Sequence, residues 1–107
     1  MPDFAHPSER EVAALFDSYG ITWDYEPTTF VLERDDTGNP TSAFTPDFYL
    51  PDFDTYIELT TLRQPLVTRK HRKIRMLKEQ QPEVNVKILY RKDLERLGAK
   101  YGLADAA

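Results

Sequence analysis

The chain contains no cysteine and only two histidines, His6 and His71. Disulfides and thiolate metal sites are therefore excluded, and a structural zinc site is not expected. The metal chemistry left open is that of a hard cation held by oxygen ligands. Long apolar runs are missing too. Nothing approaches the ~20 residues that span a bilayer, so no membrane partner is expected. The opening stretch MPDFAHPSERE lacks a basic region followed by an apolar run and does not read as a secretory signal. A cytoplasmic location is the expectation. Internal repeats, low-complexity tracts and interdomain linkers are also absent. The 107 residues suit one domain and are too few for two. With 40% hydrophobic and 30% charged residues, the composition is that of a folded protein. A single domain over residues 1–107 is expected, its tail Ala104–Ala107 frayed.

A net charge of −4 argues mildly against nucleic acid as a partner, but the charge is unevenly distributed. Residues 1–58 carry 13 acids and 2 bases, whereas residues 59–107 carry 5 acids and 12 bases. Seven bases fall between Arg63 and Lys78 with no acid among them: Arg63, Arg69, Lys70, Arg72, Lys73, Arg75 and Lys78. Phosphate responds to local potential, so a basic stripe beside an acidic pocket is compatible with binding a polyanion. A solvated helix face accounts for such a run equally well.

Pro7 or Ser8 opens a first helix to about Tyr19, with Ser8 as N-cap and Glu11 three residues on for a capping box. Val12, Leu15, Phe16 and Tyr19 form its apolar face, and Gly20 ends it as the C′ residue. Three strands follow: about Trp23 to Glu33 with a kink at Pro27, about Ala43 to Leu50 with a bend or edge position at Pro46, and about Thr55 to Leu62. The turn formers of Asp35–Pro40 and Pro51–Asp54 separate them. Gln64-Pro65 reads as a break before a helix from about Val67 to Gln81, for which Thr68 is an available cap and Pro82 a stop. Its inner face carries Val67, Lys70, Ile74 and Leu77. A short buried strand over Val84–Tyr90 and a closing helix over Lys92–Tyr101, with Leu94 and Leu97 inward, complete the pattern. The long connection through residues 63–83 suits a right-handed crossover to a parallel strand. Trp23, Phe30, Phe44 and Phe48 are expected in the core. Glu26 reads as an exposed strand acid, Asp52 and Asp54 as turn residues, His71 as exposed, and His6 as part of a disordered start.

The stretch Thr45–Thr60 carries the chemistry. Asp47 lies near the start of one strand, and Glu58 follows eleven residues later on the next. A tight hairpin brings two such positions side by side. Facing carboxylates repel and resist desolvation, and Mg²⁺ or Mn²⁺ would remove that penalty. Such a cation polarises a phosphodiester, activates a water and stabilises the leaving oxygen.

Pro46-Asp47, a ten-residue gap and Glu58-Leu59-Thr60 resemble the PD-(D/E)XK motif of restriction-endonuclease-like nucleases. Pro46-Asp47 matches the PD, Glu58 the (D/E) and Leu59 the X, and Thr60 stands where lysine is usual. Tyr25-Glu26-Pro27 followed by Pro46-Asp47-Phe48 is similar to small prokaryotic members of that superfamily. The resemblance spans about residues 6–101, since the expected element order matches the superfamily's α/β fold, an αβββαβα core with a mixed central sheet. It implies a Mg²⁺- or Mn²⁺-dependent nuclease, an endonuclease or an exonuclease, hydrolysing DNA. Asp47, Glu58 and the carbonyl of Leu59 would be metal ligands.

The resemblance further implies an acid on the first helix that joins the metal ligands, for which Glu9 is favoured over Glu11 because it projects from the core-facing side. A lysine moved to the following helix would be Lys70 or Lys73, one turn apart. Both would count among the catalytic residues with Asp47, Glu58 and Glu9. Arg69, Arg72, Arg75 and Thr60 are candidates for nucleic-acid contact. A threonine hydroxyl cannot carry the lysine's charge. The alternative is therefore an inactive module on the same scaffold that binds nucleic acid or a protein partner. Sequence recognition in so small a chain would need a partner or a homodimer.

Overall fold

A computed structural model describes residues 3–60, 64–90 and 93. The first helix, α1, spans Pro7–Ser18. Proline costs nothing in a first turn, whose N–H groups have no intrahelical partner, so the cap moves back one residue to His6. His6 is extended, and its ring nitrogen Nδ1 accepts from the Ser8 amide at 3.1 Å. This corrects one expectation: Ser8 is not the cap, so no Ser8–Glu11 box forms, and His6 takes the capping position. At the other end Ile21 N–H donates to Phe16 O at 2.9 Å and Gly20 N–H to Asp17 O at 3.1 Å. That is a Schellman pair, and it requires the left-handed backbone of Gly20, at φ +68. Tyr19, expected on the apolar face, is the C-cap and is exposed.

The three expected strands are five. Strand β1 is Asp24–Tyr25 and β2 is Phe30–Arg34; β3 is Pro40–Phe44 and β4 is Phe48–Leu50; β5 is Thr55–Thr60. β1 pairs antiparallel with β4, and β2 with β3. The first two expected strands thus form one long hairpin bent across Pro27 and Pro46, where neither proline can donate to a ladder. Two bonds span the bend. Glu26 N–H donates to Asp47 O at 2.9 Å, and the Thr29 and Thr45 hydroxyls meet at 2.8 Å. Asp35 closes the far loop, accepting from the amides of Thr37 and Asn39 at 2.9 Å each.

A short 3₁₀ turn at Pro51–Phe53 leads into β5, which pairs antiparallel with β4. Helix α2, Gln64–Gln80, then crosses to β6, Val86–Tyr90, which lies parallel to β5. Gln64-Pro65 is therefore not a break. Pro65 sits in the first helical turn, the one place where a helix tolerates it, and Thr68 lies inside the helix rather than at its cap. The expected closing helix over Lys92–Tyr101 lies, apart from Asp93, outside the described residues. So do Thr61, Leu62 and the side chain of Val67.

Among the described residues the result is a mixed α/β arrangement of two helices, a mixed four-stranded sheet ordered β1-β4-β5-β6, and the two-stranded β2–β3 extension. Among the described residues no helix is long and apolar enough to cross a membrane. Alternation along β4 and β5 separates two cores. Phe48, Leu50, Ile57 and Leu59 pack against Val12, Ala13 and Phe16 of α1. Phe30, Leu32, Phe44 and Val86 pack with Ile74 and Leu77 of α2. Phe48 is fully buried, ringed by Phe4, Phe16, Trp23 and Tyr25. The aromatic expectations hold, with Trp23 half-buried at the margin of the same cluster and its indole N–H on Asp17.

Replacing Phe48 by Ala should cost about 3–5 kcal/mol in urea unfolding. Phe53→Ala, at an exposed turn position, should change stability by less than about 0.5 kcal/mol.

Candidate functional site

The pairing Phe48↔Ile57 ends the β4–β5 ladder, and one further step in the same register sets Asp47 opposite Glu58. The bend at Pro46 stops the ladder there, and the two carboxylates take over its hydrogen bonds. Asp47 N–H donates to Glu58 Oε1 at 3.2 Å, and Leu59 N–H donates to Asp47 Oδ2 at 2.8 Å. Each acid thereby accepts from the backbone of the opposing strand. Ile57 and Leu59 point into the α1 core, so Glu58 between them faces α2, and it is 4% exposed.

Lys70 meets it there. Its stem leaves the α2 face that carries Ile74 and Leu77, as a snorkelling lysine does. Its ammonium lies 2.8 Å from Glu58 Oε2 and donates to the Leu59 carbonyl at 2.6 Å. Lys73 goes elsewhere, donating to Ala43 O at 2.8 Å and tying α2 to β3. Sequence spacing set Lys70 on the inner face with Ile74 and Leu77 but kept both lysines as candidates. The fold brings Lys70 to the carboxylates, whereas Lys73 serves as a strut at the edge of the same cleft. That cleft, about 220 Å³ between β3 and α2, is lined by the apolar Ala43 and Phe44 and by Thr45, Glu58, Arg69, Lys70 and Lys73. Arg72 and Arg75 are exposed on α2 and do not line the cleft.

Glu9 is buried on α1 at 7% exposed, and Glu11 is exposed. Glu9 Oε1 accepts from the Tyr25 hydroxyl and from the Ala5 amide, the latter at 3.2 Å. It contributes its charge to Asp47 but is anchored to β1. Tyr25 is the residue missed by sequence reasoning. The Glu9–Tyr25 contact joins positions sixteen apart, and no local spacing signals it. Burial and the bond to Glu9 push the Tyr25 phenol up, which keeps it protonated as a donor. Thr60 is 4% exposed, and among the described residues its hydroxyl has no hydrogen-bond partner. His71 is exposed, as expected, and meets the Tyr90 hydroxyl at 2.7 Å.

Burial pushes the Asp47 carboxyl up to about 7, and the facing Glu58 charge adds to the rise. The Leu59 amide and Lys70 oppose it. Burial also raises Glu58, against the pull of Lys70. The pair is thus short of positive charge. Among the described residues no group of three or more His, Cys, Asp or Glu side chains converges closely enough to hold a metal ion. The donors present are the two carboxylates and the Leu59 carbonyl. Oxygen donors of this kind suit Mg²⁺, which is commonly held by one or two carboxylates and keeps several waters. The fit is visible in the contacts of Lys70, whose ammonium is a cation already seated between Glu58 and the Leu59 carbonyl.

Asp47 and Glu58 bind protons more tightly folded than unfolded, so their contribution to stability is greatest below the unfolded carboxylate value of 3.8 for Asp47. It is lost as pH rises through the folded value near 7. With chelator present, melting temperature should fall between about pH 4 and about pH 8, and Asp47→Asn should flatten that slope. A wild-type profile that is flat over this window contradicts the assignment. Comparison with protein-family models, curated proteins and solved structures yields no match to this chain, which leaves its own geometry to indicate what the site does.

Proposed function

We propose that the chain is a divalent-metal-dependent nuclease of the PD-(D/E)XK kind, with a restriction-endonuclease-like core, that hydrolyses phosphodiester bonds in DNA. The observation that carries this reading is the reciprocal clasp of Asp47 and Glu58 across neighbouring strands, with Lys70 on Glu58 and on the Leu59 carbonyl. Asp47, Glu58 and the Leu59 carbonyl would hold Mg²⁺ or Mn²⁺, with Glu9 supporting from behind through its charge on Asp47. When bound, the metal supplies Lewis-acid polarisation of the phosphodiester and a water activated for attack.

The chain's own residues do the rest. Lys70 supplies the positive charge that Thr60 cannot, from α2 instead of from β5, and stabilises charge developing on the phosphate. Arg69 at the cleft and Arg72 and Arg75 on the exposed face of α2 engage the phosphate backbone, which positions a substrate without reading its sequence.

Thr60 favours one other reading. A buried hydroxyl replaces the motif lysine, which suits an inactive module that binds nucleic acid through α2.

Cleavage of supercoiled, branched and single-stranded DNA with Mg²⁺ or Mn²⁺ separates the two. A nuclease should cut at least one of these substrates, and Asp47→Asn or Glu58→Gln should lower the rate at least about a hundredfold without unfolding the protein. Cleavage that survives in either variant removes both residues from the chemistry. Metal-independent binding without cutting supports the module. In either case Arg72→Ala should weaken DNA binding and reduce the salt slope by about one.

A further inference from the structure

Lys70 makes an unusual use of the carboxylate pair. Its two contacts, Glu58 Oε2 at 2.8 Å and the Leu59 carbonyl at 2.6 Å, are to two of the oxygens that the proposed metal would take. An ammonium and a divalent cation on the same oxygens repel one another strongly at that separation, so each weakens the hold of the other. Lys70 also differs from Glu58 in freedom. Glu58 is 5% exposed at its side chain and held by the Asp47 amide, whereas the Lys70 side chain is 23% exposed on a flexible four-carbon stem. The lysine is therefore the partner that moves. The open space next to it is the 220 Å³ cleft whose rim carries Arg69 and Lys73.

We infer that Lys70 is a placeholder for the metal: cation entry at Asp47 and Glu58 displaces its ammonium from Glu58 and from the Leu59 carbonyl into the cleft, where it joins Arg69 and Lys73 to receive a phosphate. This rests on the metal-dependent reading above and adds an order of binding to it. Before metal enters, Glu58 and Lys70 neutralise one another, and the cleft offers a phosphate only Arg69 and Lys73, the latter already donating to the Ala43 carbonyl. Afterwards the carboxylate charge is met by the metal and the third cation is released. Metal then raises phosphate affinity, and by linkage phosphate raises metal affinity to the same degree. A resting protein without metal holds nucleic acid less tightly at the site.

The test uses Mn²⁺ alone. Lys70→Met keeps an unbranched stem against α2 and removes the competing charge. Calorimetry should show Mn²⁺ binding to Lys70→Met about tenfold tighter than to wild type. Equal or weaker binding to Lys70→Met overturns the inference while leaving the metal site standing. Absence of Mn²⁺ binding to both proteins overturns the metal-dependent reading and the placeholder with it. A second measurement needs no Lys70 variant. Amine-reactive labelling of wild type, read by peptide mass spectrometry, should rise severalfold at Lys70 when Mn²⁺ is added and stay unchanged at Lys73. In Glu58→Gln, Lys70 should label freely without metal and respond little to it. Lys70 labelling that is indifferent to Mn²⁺, in wild type that calorimetry shows to bind it, is the opposite result and rules out displacement.

Discussion

Two carboxylates on neighbouring strands, Glu58 buried and Asp47 half-buried, would push those strands apart were it not for what each accepts. Asp47 takes the amide of Leu59 and Glu58 takes the amide of Asp47, so the charges are answered by backbone dipoles on opposing chains. Lys70 completes the set. Positions, burial and protonation in the site all follow from this clasp. The amides answer the acids only in part: burial, and after it the facing Glu58 charge, still push the Asp47 carboxyl up to about 7. A single lysine answers two acids, with a third close behind on α1, and that imbalance is the physical case for a divalent cation.

The clasp exists because the hairpin bends. An unbroken ladder would have continued past Phe48 and used the amides that the acids now hold. Pro46, fully buried, ends the ladder one residue before Asp47, and Pro27 accommodates the bend on the other strand. Beyond the bend, β2 and β3 fold over α2, with Lys73 on the Ala43 carbonyl and the Gln80 amide on the Leu32 carbonyl. The hairpin thus contributes one wall of the cleft and the helix the other. The same bend serves the α1 side, where Tyr25 of the short strand β1 reaches Glu9.

Local rules were legible wherever a residue acts on its immediate neighbours. Gly20 at the helix C′ position, Asp35 in its loop, Pro82 after α2 and the turn at Pro51–Asp54 each do what their chemistry dictates within a few residues. Two errors came from the same kind of rule applied one step too far. Ser8 is a better intrinsic cap than His6, but Pro7 shifts the helix start. Gln64-Pro65 carries a breaker, but the first helical turn accepts it. The long strands were misjudged because a proline kink is visible in sequence while the change of pairing partner beyond it is not.

The sequence by itself determined the alternation of strand residues that sorts Ile57 and Leu59 from Glu58, the spacing that sets Asp47 opposite Glu58 in a tight hairpin, and the basic run that makes α2 cationic. These depend on period and short-range register, which are properties of adjacent residues. Only the tertiary structure decided that Lys70 and not Lys73 meets the carboxylates, that Glu9 is anchored by Tyr25, and that a cleft opens between β3 and α2. Each of those depends on the rotation and height of a helix against a sheet. That placement is settled by the packing of Ile74, Leu77, Phe30 and Phe44 in the shared core, a collective fit that no local spacing encodes.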